Sequence, residues 1–313
     1  MSQPHKSQPK RWMSTLPDDL PISEINIPGS HNAAAINTTR PTRWACQDHS
    51  ITEQLNRGIR LLDIRLKPKK RRRPEDRPAP TPTGSPDVYE FTTCHGHLGL
   101  FGANEFQSLA TLLEECQAFL ATNPGETIIL TIQIDDWRKT RKQDHPQMLN
   151  RLQTTISRLP LVTTKNIPTL KECRGRIYLI NRINDDPALG VPLNIPDNTP
   201  GVLLAPATGR NYEVYVQDQY RGLNYRDPEA HKLNLTIAAF EKKKPGVLLL
   251  NYASATKPFG RFVYIMQQLL QYFAEKTAPA KPEGWLFLDY PFATNDAKTP
   301  DLPSLIIASN HTS

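Results

Sequence analysis

The sequence predicts an α/β fold, a closed or nearly closed parallel barrel, on three observations. Short runs rich in Ile, Leu and Val alternate with amphipathic stretches along nearly the whole chain. Roughly eight such runs occur, the strand number that closes a (β/α) barrel. No glycine-rich phosphate loop follows the first run, which disfavours the alternative, a doubly wound dinucleotide-binding sheet. A length of 313 residues suits one such domain.

The elements follow in order. Strands are expected at Ile25–Ile27, Ile59–Leu66, Val88–Cys94, Thr127–Ile134, Arg176–Asn181, Val214–Gln217, Val247–Asn251 and Trp285–Asp289. Their near-continuous apolar character is that of strands covered on both faces. The clearest helix is Glu105 to Ala121, where Phe106, Leu109, Leu112, Leu113, Cys116 and Leu120 form one stripe. Asn104 is its expected cap and Asn123-Pro124-Gly125 its stop. Further helices are expected over Phe262 to Phe273 and Ile237 to Glu241. Residues 1–10 and 301–313 are expected as tails around one domain, 11–300, with a proline-rich insertion at 67–86.

Charge is concentrated in that insertion. Lys67, Lys69, Lys70, Arg71, Arg72, Arg73 and Arg77 oppose only Glu75 and Asp76, within a chain of net charge +7. The plain interpretation is a solvated loop. The functional one is attraction to an anionic membrane surface, worth ~1 kcal/mol per basic residue near the lipid. No nucleic-acid-binding motif accompanies it, so nucleic acid is excluded as a partner. No apolar run approaches the ~18 residues of a membrane span. Cys46, Cys94, Cys116 and Cys173 show neither a CxxC pair nor zinc spacing. The first twelve residues carry no apolar signal segment. An intracellular, monomeric protein with peripheral membrane association is expected.

The chemistry lies at the strand ends. Ile27-Pro28-Gly29-Ser30-His31-Asn32 ends the first strand with a histidine, and Phe91 to His95 ends the third with another. Asp63 and Arg65, two apart, share one side of the second strand. Asp289 ends the last. In a barrel these ends converge on one mouth. Two histidines can serve as general base and general acid, a guanidinium can take a phosphate, and an aspartate can fix an imidazole tautomer. The set fits phosphodiester cleavage by an adjacent hydroxyl. Singly, each signal is weak, because a lone histidine or an Asp–Arg pair is more often structural.

These residues resemble the X domain of phosphatidylinositol-specific phospholipase C, in its bacterial single-domain branch. The resemblance runs from Ile27-Pro28-Gly29-Ser30-His31-Asn32 and Gly58 to Arg65, through His95-Gly96, Asn123 to Ile129, Arg174 to Ile177 and Val216 to Tyr220. It closes with Leu250-Asn251-Tyr252 and Trp285 to Tyr290. It implies a distorted, incompletely closed barrel of the TIM type and cleavage of phosphatidylinositol to diacylglycerol and inositol 1,2-cyclic phosphate. By it, His31 is the base for the inositol 2-hydroxyl, Asp289 orients it, His95 is the acid, Arg65 stabilises the phosphate and Asp63 is its neighbour. Arg182, Asp218 and Tyr220 match the inositol-binding set.

Two positions depart from the bacterial pattern. Asn32 stands where the metal-free enzymes have an aspartate that assists the acid, and Gln133 where they have a lysine. Asn32 is therefore a catalytic candidate and Gln133 a substrate-binding one. Calcium-dependent relatives use asparagine as a ligand, but Arg65 occupies the place of an acidic ligand, so no metal cofactor is expected. Trp44, and more weakly Phe259 and Phe262, are candidates for membrane contact. Three alternatives remain: a calcium-dependent enzyme, a glycerophosphodiesterase-like or GPI-anchor-cleaving one, and a lipid-headgroup-binding protein with a decayed site.

Overall fold

The computed structural model describes residues 8–36, 45–71, 88–96, 104–135, 137, 140–257, 261–275, 281–293 and 300–311. Along the chain come β1 (Ile27–Ser30), α1 (Ile51–Asn56), β2 (Leu61–Arg71), β3 (Val88–His95), β4 (Asn104–Ser108), α2 (Leu109–Thr122), β5 (Ile128–Ile134) and α3 (His145–Ile156). There follow α4 (Leu170–Cys173), β6 (Ile177–Asn181), β7 (Val191–Pro192), β8 (Val202–Leu204), β9 (Glu213–Gln217), α5 (Pro228–Phe240) and β10 (Val247–Tyr252). The last are β11 (Ala255–Lys257), β12 (Arg261–Val263), α6 (Met266–Ala274), β13 (Trp285–Leu288) and α7 (Leu302–Ser309).

One sheet runs in the order β7-β6-β5-β2-β1-β13-β10-β9-β8. Every neighbouring pair from β7 to β9 is parallel, and β8 returns antiparallel. Among the described residues β7 and β8 do not pair, so the expected barrel is incompletely closed.

Strand alternation sorts side chains into two layers. Ile27, Leu61, Ile129, Tyr178, Val214, Leu250 and Trp285 fill the interior. The intervening residues, such as Leu62, Ile64, Leu130 and Leu179, pack outward under α2 and α3. Leu249, Leu286 and Leu288 do the same towards α6 and α7. Gly29 permits the close approach of β1 to β2, since a Cβ there would sit 2.7 Å from the Leu61 side chain. On the interior face each strand turns from apolar to polar towards its carboxyl end: Leu61, then Asp63 and Arg65; Ile129, then Thr131 and Gln133.

At the opposite end a buried ion pair ties down the amino terminus. Arg60 and Glu126 meet at 2.8 Å with both side chains fully buried. Arg60 also donates to the carbonyls of Leu55 and Lys10 at 2.7 Å, and Glu126 accepts the Ser14 N–H at 2.9 Å. Residues 8–10 of the expected tail are therefore docked.

Other expectations are corrected. Residues 302–309 form α7, with Leu302 and Ile306 buried in the core, not a tail. The helix expected from Glu105 begins at Leu109, capped by Ser108 rather than Asn104. Residues 104–108 instead pair with β3, where Cys94 faces Glu105 and His95 faces Asn104. β3 itself is antiparallel to β2, with Leu66 opposite Thr93 and Arg71 opposite Val88. That pairing also takes Lys67 to Arg71 out of the insertion and into β2; residues 72–87 lie outside the described residues. Phe262 belongs to β12, and α6 starts at Met266.

Candidate active site

The carboxyl ends of the parallel strands surround one cavity of about 470 Å³. It is lined by His31 after β1, Arg65 of β2, Gln133 of β5, Arg182 after β6, Asp218 and Tyr220 after β9, and Asp289 after β13. His95 closes the side facing β3. Two of the expected residues stand behind this wall. Asp63 is fully buried, and the Asn32 side chain is not among the groups lining the cavity.

His31 is held from both ring nitrogens. Nδ1 lies 2.8 Å from Asp289 Oδ1, and Nε2 lies 2.9 Å from Arg65 Nη2. Its backbone is fixed as well: the N–H donates to Leu288 O at 2.9 Å, and the carbonyl accepts from Gln47 Nε2 at 2.7 Å. The same Gln47 amide reaches Leu288 O at 3.0 Å, so one buried side chain locks the ends of β1 and β13 together. The Tyr252 ring, stacked on Phe287, meets His31 edge-on at 6.4 Å.

Asp63 anchors the two arginines. It accepts from the Thr131 hydroxyl at 2.8 Å and the Asn32 N–H at 3.2 Å, and faces Arg65 at 3.6 Å and Arg182 at 3.5 Å. Burial pushes its carboxyl up, but Arg65, Arg182, His31 and Thr131 together outweigh burial and hold it below its ordinary value. Burial opposes the charge of Arg65, yet Asp135, Asp63 and Asp218 more than offset it. Arg182 continues the network to Asp218 at 3.5 Å and donates to the Tyr252 hydroxyl at 2.9 Å. Burial keeps the Asp218 carboxyl above its ordinary value despite Arg182 and Lys232. Tyr220 donates to Asp197 at 2.7 Å.

Asn32 acts through its backbone. It adopts a left-handed φ of 44°, a conformation asparagine tolerates better than most residues. Its Nδ2 is buried without a hydrogen-bond partner. Gln133 faces the cavity and donates to Asp135 at 3.2 Å. Trp44 and Phe259 lie outside the described residues, as does the side chain of Phe262.

The rings of His31 and His95 stand 5.9 Å apart, nearly perpendicular, so the two imidazoles border the cavity side by side. Sequence reasoning missed Cys46, whose Sγ lies 3.4 Å from His95 Nδ1, and Tyr252. It also missed Lys232, fully buried on α5, which donates to Gln217 Oε1 and Gln219 O at 3.0 and 2.7 Å. None carries a local signal: each is an apolar-looking or isolated position whose partners are distant in sequence.

Among the described residues, the group able to close on a cation is His31, Cys46 and Asp289, one nitrogen, one sulfur and one carboxylate. Calcium prefers six to eight oxygens, and Asp63 faces the Arg65 guanidinium at 3.6 Å.

An open parallel barrel with two opposed histidines and paired arginines at its mouth defines a phosphodiester-cleaving site. Residues 19–183 match the family described as phosphatidylinositol-specific phospholipase C, X domain, and the chain belongs to that family. It is 28% identical to the 1-phosphatidylinositol phosphodiesterase of Staphylococcus aureus strain Newman, over 96% of this chain and 94% of the relative. It is 29% identical to the Listeria monocytogenes protein of the same name, over 79% of this chain and 68% of that one. Its fold is similar to a pentafluoro-Phe-containing phosphatidylinositol-specific phospholipase C from Staphylococcus aureus. That match has a TM-score of 0.72 and 26% identity, over 97% of this chain and 98% of that one.

Proposed function

We propose that this protein is a phosphatidylinositol-specific phospholipase C that cleaves phosphatidylinositol without a metal ion. His31 Nε2 takes the proton of the inositol 2-hydroxyl, whose oxygen attacks phosphorus. His95 gives a proton to the diacylglycerol oxygen as its bond to phosphorus breaks. The products are diacylglycerol and inositol 1,2-cyclic phosphate. Arg65 moves from His31 to the phosphate oxygens, where a guanidinium fork stabilises the added charge. Arg182 and Asp218 offer a donor and an acceptor to the inositol hydroxyls, and Tyr220 a ring face. The reaction takes place at a membrane surface. No helix among the described residues is long and apolar enough to cross one, and an anionic lipid surface is the natural partner of the basic run from Lys67 to Arg77, which begins in β2.

The observation that carries this reading is the pairing of His31 with Arg65 at 2.9 Å, opposite His95. It sets base, phosphate cation and acid around one small volume. The test is cleavage of phosphatidylinositol in mixed vesicles, with and without EDTA, following the cyclic product. Cyclic phosphate formed equally in EDTA is expected. Activity lost in EDTA and restored by calcium would overturn the metal-free mechanism, and vesicle binding without turnover would favour the headgroup-binding alternative.

A further inference from the structure

We propose that the Cys46 thiol is a positioning residue that links the two catalytic histidines through the single carboxylate of Asp289. The proposal rests on the reading of His31 as base and His95 as acid. Cys46 Sγ lies 3.4 Å from His95 Nδ1. The sulfur, a carboxylate oxygen of Asp289 and a ring nitrogen of His31 all fall within 4.8 Å of one another. Asp289 uses Oδ1 for His31 at 2.8 Å. Its Oδ2 is buried with no hydrogen-bond partner.

The position of the sulfur is built. Cys46 is fully buried, and its N–H donates to Ala35 O at 2.8 Å. Its carbonyl accepts from the N–H of Tyr290 at 2.9 Å, and the Tyr290 hydroxyl donates to Ala45 O at 2.6 Å. Tyr290 holds a left-handed φ of 47° to make both contacts. The residue next to Asp289 in sequence thus clamps the residue that faces His95.

Thiol chemistry suits the place. Protonated His95 offers an N–H at both ring nitrogens, and a thiol is a weak acceptor and a weak donor. Sγ accepts Nδ1–H of His95 and turns its own S–H to Asp289. Burial, and then the Asp289 carboxylate, raise the thiol well above its ordinary pKa, so the S–H is retained. When His95 releases its Nε2 proton to the departing oxygen, Nδ1–H remains on the sulfur and the ring keeps its orientation.

A positioning role for the acid separates from a general structural role by leaving group. An alkoxide such as that of diacylglycerol needs a proton to depart, whereas a nitrophenolate does not. Cys46→Ala is expected to lower kcat on phosphatidylinositol vesicles by about 10-fold or more, part of the ~10²–10⁴-fold a general acid supplies. On a soluble nitrophenyl inositol phosphate the same variant should keep kcat within about 3-fold. Cys46→Ser, which retains a hydroxyl donor and acceptor, should recover most of the loss. Equal losses on both substrates, or no loss on either, would overturn the proposal. Wild-type protein inactive on both would instead sink the functional reading beneath it.

Discussion

Arg65 Nη2 lies 2.9 Å from His31 Nε2. A guanidinium nitrogen can only donate, so Nε2 accepts and the imidazole proton resides on Nδ1, directed at Asp289 Oδ1 at 2.8 Å. The proposed base is therefore held in its proton-accepting tautomer before substrate arrives, and the group that holds it is the one proposed to take the phosphate.

Removing that guanidinium loses both roles. Arg65→Ala is expected to reduce kcat by about 10²–10³-fold, the usual effect of deleting a transition-state donor. Arg65→Lys should recover only part, because an ammonium lacks the planar fork that spans Asp63 and an oxyanion together. Steady-state cleavage of phosphatidylinositol vesicles checks this; full recovery by lysine would show that charge alone suffices.

The base of the barrel makes a separate prediction. Glu126→Gln leaves the fully buried Arg60 guanidinium without its counter-charge, and breaking such a pair costs about 3–5 kcal/mol. Urea denaturation should show that loss, while activity per folded molecule is retained, because the pair lies at the end of the strands away from the cavity. An unchanged unfolding midpoint would refute it.

Lys232 makes stability depend on pH. Burial lowers its pKa from 10.5 to about 7. Between those values the unfolded chain binds a proton that the folded chain does not, so stability rises with pH across that window. Below about 7 both states are protonated, and the folded state carries the whole cost of the buried ammonium. Wild type should therefore gain stability relative to Lys232→Met between pH 7 and pH 9, a span chosen inside the window and read by urea titration. Parallel profiles for the two proteins would show that Lys232 titrates normally.

Much of the fold is legible because its signals are local. An apolar run such as Val247 to Leu250 or Trp285 to Leu288 predicts a buried strand from composition alone. The alternation that puts Leu61, Asp63 and Arg65 on one face follows from the period of a strand. Once strand ends are known, His31, Arg65, His95 and Asp289 can be expected at one mouth. The helix start at 105 was not legible, because Asn104 to Ser108 carry a helical stripe through Phe106 and only pairing with β3 makes them a strand. The direction of β3 and the docking of α7 depend likewise on neighbours far along the chain.

By itself the sequence determined eight of the strands, the family and the residues that converge on the cavity, since each rests on short-range pattern. Tertiary structure alone decided which nitrogen of His31 carries the proton, that the Asn32 N–H donates to Asp63, and that Cys46 faces His95 Nδ1. Those outcomes turn on distances of 2.8 to 3.4 Å between groups 31 to 258 positions apart. Hydrogen bonds are that short-ranged and directional, so only the folded chain can choose among the partners its sequence makes available.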